Sequence, residues 1–143
     1  MAFGAAGDAV DMDQAMIVAG IGCRKGAAAA EIEAAIAAAL ARAGIASHSL
    51  KLIATSAAKG GEPAIAAAAS ARGVPLVLVP QDRLEAASDR TATKSARVTA
   101  LTGVPSLAEA AALAAGGPGA RLLGARVAIG PATCALAEGA GAP

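Results

Sequence analysis

Aromatic side chains are nearly missing from this sequence: there is one Phe, and neither Trp nor Tyr, in 143 residues. That takes away the stacking platforms on which single-stranded nucleic acids are held. An excess of one charge is missing as well. The 12 Lys and Arg stand against 11 Asp and Glu, interspersed along the chain, so no basic footprint for DNA or RNA exists. Histidine occurs once, at His48, which excludes a histidine-based zinc site. The two cysteines, Cys23 and Cys134, lie far apart without metal-ligand spacing, and nothing in their use points to an oxidising compartment. Uncharged apolar runs of membrane-spanning length are also lacking, because Glu31, Glu33 and Arg42 break the longest alanine-rich stretch. Residues 1–15 carry Asp8, Asp11 and Asp13 and no positive leader, so they are not a secretory signal. The expectation is a soluble, cytoplasmic domain that binds neither nucleic acid nor membrane, with no metal and no cofactor.

What the sequence has in abundance is alanine, about a third of the chain. Alanine buries little area, so the core must be built from the scattered Ile, Leu and Val. The length suits one domain with one core. Residues 1–15 read as an unstructured leader, 16–131 as the folded domain and 132–143 as a disordered tail.

Within the domain, apolar runs alternate with helical patterns. "MIVAGI" (16–21) is a buried strand ending in glycine. Residues 27–44 form a helix, with Ile32, Ile36 and Leu40 on one face and Gly44 at the C′ position. A strand at 50–54 precedes a helix over 62–72, which has Pro63 in its first turn and Gly73 at its end. "PLVLV" (75–79) is a strand and 81–87 a short helix, while the polar stretch 88–97 reads as a mobile loop. A helix over 103–117 follows, then one or two short strands in 121–130, with a hairpin around Gly124. This alternation implies an α/β fold with a largely parallel sheet and helices on both faces.

Three clusters carry chemistry. In "GIGCRKG" (20–26) the glycines are Gly20, Gly22 and Gly26, so the third comes one residue late for the dinucleotide fingerprint. No acid follows the second strand until Glu62, and the phosphate-binding G-x-x-x-x-G-K-[ST] is absent. A glycine loop between strand and helix still leaves backbone N–H groups that favour an anion, and Arg24 and Lys25 add cationic donors. The same residues read equally well as a plain turn with two solvated bases. "TSAAKGGEP" (55–63) brings a hydroxyl (Thr55), a cation (Lys59) and an acid (Glu62) to the end of the next strand, where ligands of open parallel sheets bind. Glu62 before Pro63 is equally a helix-start residue. "SLAE" (106–109) fits a capping box between Ser106 and Glu109, favoured over a catalytic role. Cys23 beside two bases has the surroundings of an activated thiol, but His48 precedes the second strand, at the wrong end of it to assist.

Taken in order, "GIGCRKG", "IATSAAKGGEP" and "GVPSLAEAAAL" resemble the CobE/CbiG C-terminal domain family of cobalamin biosynthesis. The resemblance covers roughly residues 16–130. It implies a three-layer α/β/α domain acting in corrin-ring biosynthesis, in its stand-alone form with the aerobic pathway. The sequence departs from the family pattern in two places. Ser56, Ala57 and Ala58 fill positions where an acid is common, and Arg121 or Arg126 must stand in for a lysine before the last strand. The implied ligand is a precorrin-type intermediate, a flat apolar ring edged with carboxylates. Its binding residues would be Gly20, Gly22, Cys23, Arg24, Lys25, Gly26, Thr55, Lys59, Glu62 and Ser106. One alternative is a hydrolase that opens a ring lactone and releases acetaldehyde, with Glu62 or Glu109 as general base. Another is a non-catalytic partner of other cobalamin-pathway enzymes.

Overall fold

The computed structural model describes residues 16–59, 62–91 and 106–139. The expected leader (1–15) lies outside them, as do 92–97 of the expected loop and 103–105 of the expected last helix. Among the described residues there are six strands: β1 (Met16–Cys23), β2 (Leu50–Ser56), β3 (Leu76–Val79), β4 (Arg121–Leu122), β5 (Val127–Ile129) and β6 (Ala132–Gly139). Four α-helices accompany them among the same residues: α1 (Ala29–Ala43), α2 (Pro63–Arg72), α3 (Gln81–Ala87) and α4 (Leu107–Gly116).

The strands form one sheet in the order β3-β2-β1-β6-β4, with β5 also paired to β6. β3, β2 and β1 run parallel, whereas β6 runs antiparallel to β1 along its whole length, from Met16↔Gly139 to Cys23↔Ala132. The sheet is therefore mixed rather than largely parallel. The expectation of a disordered tail from residue 132 is also corrected, because 132–139 form an eight-residue strand inside the sheet. Its apolar residues are small, mostly alanine, so the stretch carries little hydrophobic signal of its own. Neighbouring strands and helices bury it. Nor does Gly124 turn a hairpin. β4 and β5 lie one after the other along the same side of β6, opposite Glu138–Ala137 and Cys134–Ala132, so the segment between them is an interruption in one edge. The hairpin instead turns at Gly130–Pro131, where Ile129 pairs with Ala132 and Gly130 adopts φ +56°.

Alternate residues of β1 feed two separate clusters. Ile17, Ala19 and Ile21 pack with Ile32, Ile36 and Leu40 of α1, Ile65 of α2, and Cys134 and Leu136 of β6. Val18 packs with Leu84 of α3, Leu107 and Leu113 of α4, and Ala137 of β6. The period of two in the strand and of 3.6 in α1 place these side chains as the sequence pattern requires. α1 is closed at one end by Glu31, whose Oε1 accepts the Ala28 N–H at 2.8 Å, and at the other by Gly44 in the left-handed region. α4 is buried on almost every side, from Leu107 through Leu113.

Alanine and glycine let α4 lie unusually close to the sheet. A Cβ placed on Gly20 would stand 1.9 Å from the Ala108 carbonyl oxygen and 2.6 Å from the Ala112 nitrogen. Helix backbone occupies the space that a side chain would need.

Candidate functional site

β1 and β2 are parallel neighbours, so the motifs that follow them leave the sheet at the same edge. The third motif joins them there. Leu107 and Ala108, the first residues of α4, lie 3.8 Å from where a Cβ on Gly22 would stand. The sheet thus gathers the ends of "GIGCRKG" and "IATSAAKGGEP" and the start of "SLAE" at one rim.

The candidate residues occupy different settings at this rim. Gly20 and Gly22 are not loop residues. Both lie within β1, where a Cβ on Gly20 would strike the backbone of α4 and one on Gly22 would stand 2.8 Å from the Thr133 hydroxyl. The loop proper begins at Arg24, and among the three glycines of this motif only Gly26 needs its freedom, with φ +85° and open space around it. Arg24 and Lys25 are exposed, and Cys23 is half-buried. The Arg24 N–H donates to the Pro131 carbonyl at 2.9 Å, which fixes the loop's first residue to the β5–β6 turn.

Two hydroxyls pin the end of β1 from either side. Thr55, fully buried, donates to the Ile21 carbonyl at 2.8 Å. Thr133 of β6 donates to the Gly22 carbonyl at 3.1 Å. Thr55 therefore holds the frame and does not face solvent. Thr133 was not anticipated, because its segment read as tail. The Gly-Pro turn between two small apolar runs was the signal available for it. Ser56, also buried, accepts the Ala58 N–H at 3.1 Å and turns the chain out of β2.

The two candidate acids separate clearly. Glu109 is fully buried, and its Oε2 accepts the Arg126 N–H at 2.8 Å, tying α4 to the edge segment before β5. Ser106, also fully buried, caps α4 by accepting the Glu109 N–H at 3.4 Å. This half of the expected capping box is present, while the Glu109 carboxylate reaches across to the edge of the sheet. Glu62 does occupy the N-cap position of α2, with Pro63 behind it, but its side chain makes no capping bond. Half-buried, that side chain makes no hydrogen bond or ion pair among the described residues, while the Glu62 carbonyl accepts the Ile65 N–H at 3.2 Å. Lys59 ends the short 3-10 turn Ala57–Lys59 that follows β2.

The two arginines proposed to replace the family's lysine also separate. Arg121 pairs with Glu138 at 2.7 Å, and Glu138 stands opposite Ile17, at the start of β1 and so at the far end of the sheet. Arg126 meets Glu109 through its backbone. Of the two, Arg126 is the one near the gathered motifs.

The chain is a mixed α/β domain with the ends of two parallel strands and the start of a helix gathered at one rim. Residues 17–137 match the family described as "Cobalamin synthesis G C-terminus", and the chain belongs to it. It is 41% identical over 121 residues to Protein CobE from Sinorhizobium sp, covering 85% of this chain and 79% of that protein. The crystal structure of CobE, a protein from the cobalamin (vitamin B12) biosynthetic pathway, superposes with a TM-score of 0.81 at 33% identity, covering 87% of this chain and 90% of the other. The cobalamin biosynthesis protein chiG from Agrobacterium tumefaciens gives a TM-score of 0.68 at 42% identity, over 85% of this chain and 97% of that one. The protein is thus a cobalamin biosynthesis protein. Among the described residues no helix is long and apolar enough to cross a membrane.

Proposed function

We propose that the protein binds a polycarboxylated, precorrin-type intermediate of the aerobic pathway at the rim where β1 and β2 end. The observation that carries this reading is the exposed Arg24–Lys25 pair on a loop whose first residue is tied to the β5–β6 turn by the Arg24 N–H and which leaves a strand end pinned by the Thr55 and Thr133 hydroxyls. Two cations on an anchored loop lose little freedom when they meet a pair of carboxylates, which favours a charge-assisted contact. Alanine-rich surroundings suit the apolar ring. The α/β/α layering expected of the family is supported by the two clusters fed by alternate residues of β1.

Catalysis of lactone opening finds less support. Glu109 is enclosed and bonded to a backbone N–H, a poor arrangement for activating water. Glu62 remains the carboxylate with the right position and an uncommitted side chain.

Absorbance titration with a purified precorrin tests the reading. A saturable spectral shift at one-to-one stoichiometry is expected, and replacing Arg24 and Lys25 together by Ala should weaken it roughly ten- to a hundredfold. Absence of any shift, or a shift indifferent to the double replacement, refutes it. Acetaldehyde release would instead assign the hydrolytic reaction.

A further inference from the structure

The clearest concavity lies at the other end of the sheet. A groove of about 830 Å³ opens where β2 begins and before β3, lined by Glu33 of α1, the turn before β2 and the end of α2. Its volume falls within the range of small-molecule sites. Leu50 and Val74 supply apolar lining.

Arg72, the last residue of α2, is held in place in the groove. Its Nε donates to Glu33 Oε1 at 2.7 Å and its Nη1 to Ser47 Oγ at 2.9 Å, and its side chain is 17% exposed. Among the described residues its Nη2 has no partner, which leaves one edge of the fork uncommitted. Lys51 and His48 line the same groove, both exposed, and the side chain of neither makes an ion pair or hydrogen bond among the described residues. Glu33 is the one acid in the lining and is already joined to Arg72. Donors therefore outnumber acceptors around an apolar lining. A guanidinium immobilised by two partners presents its remaining edge at low entropic cost, and a planar fork suits a carboxylate.

We propose that this groove is a second ligand site, one that takes a small organic anion carrying carboxylates on an apolar body. It is separate from the rim of the β1 and β2 ends, and it stands whether or not that rim binds a tetrapyrrole.

His48 is the sole histidine of the chain, so in protein without a histidine tag its imidazole C–H signals report this groove and nothing else. The probe is benzene-1,3,5-tricarboxylate, a flat ring bearing three carboxylates, followed by proton NMR. A saturable shift of the His48 signals is expected. Arg72→Gln should weaken it about tenfold or more, the loss of one charge-assisted contact. Because Arg72→Gln also removes the Glu33 pair, Lys51→Gln is read beside it. As an exposed rim change it should weaken binding a few-fold with an unchanged thermal midpoint. His48 signals that stay fixed up to about 10 mM probe, a concentration that would reveal even feeble affinity, overturn the proposal. In that case the cations only balance the carbonyl end of α2. A shift of equal size and affinity with uncharged benzene-1,3,5-trimethanol overturns the carboxylate, and one with inorganic phosphate overturns the apolar body.

Discussion

Replacing Gly20 by Ala distinguishes a packing glycine from a ligand-loop glycine more sharply than any other change. In β1 the added methyl would sit 1.9 Å from the Ala108 carbonyl oxygen, 2.6 Å from the Ala112 nitrogen and 2.9 Å from the Ala112 Cβ. The first two are backbone atoms of α4, so no rotamer change relieves the contact. Either the helix moves off the sheet by roughly an ångström or more, or β1 buckles. Overpacking of a close-fitted core costs about 1–3 kcal/mol, and backbone obstruction belongs at the upper end or above it. Domains of this size have about 5–15 kcal/mol in total. At about 2–4 °C per kcal/mol, the midpoint should fall by roughly 6–12 °C for a 3 kcal/mol loss. Gly26→Ala is the control. It has open space around it and strain only from φ +85°, so a loss of about 1–2 kcal/mol is expected. Urea denaturation followed by far-UV circular dichroism measures both. If Gly20→Ala lies within about 0.5 kcal/mol of the wild-type protein, the ordinary scatter of harmless substitutions, then the close approach of α4 is wrong. Loss of ligand affinity with stability intact would return Gly20 to the binding loop.

Thr55→Val should cost about 1–2 kcal/mol, because it leaves the buried Ile21 carbonyl without its donor; a silent substitution in denaturant titration would show that the β1–β2 tie is dispensable. Glu109→Gln should destabilise by about 1–3 kcal/mol through the Arg126 N–H bond, whereas Glu62→Gln should move the midpoint by a fraction of a kcal/mol; the reverse order would exchange their roles. Cys134 is buried, and desolvation pushes its thiol from 9.0 up to about 12, opposed by the Arg72 charge. Between those two values the unfolded chain ionises its thiol and the native chain does not, so unfolding releases a proton. Stability is therefore unaffected below about pH 9 and falls as pH rises toward 12. Cys134→Ala should flatten that alkaline decline, and in the native protein a thiol reagent at pH 8 should modify half-buried Cys23 well before Cys134. Equal rates for the two thiols would contradict the burial.

The sequence by itself determined the elements whose signal is local. The spacing of Ile32, Ile36 and Leu40, with Gly44 beyond them, marks α1, and the branched run at 76–79 marks β3. In both cases side-chain period and end residues act within a few positions of each other. The three motifs, with their order, carried the family. What only the tertiary structure decided depends on contacts between distant segments. "ATCALAEG" has mostly small residues and no strong period, and becomes a strand because β1 and the β4–β5 edge enclose it. That insertion turns a parallel sheet into a mixed one. Gly20 and Gly22 look like loop glycines when only their neighbours are read, and become strand glycines whose side-chain space is taken by distant segments, α4 beside Gly20 and the Thr133 hydroxyl beside Gly22. Thr55 and Glu109 are polar in sequence and fully buried in the fold, each bonded to a backbone group of another element. Composition shows which groups can hydrogen-bond, but only the folded chain decides which partners lie within reach. Arg24 and Lys25 keep the exposure that the sequence suggested, because their loop stands at the sheet's rim and packs under nothing described.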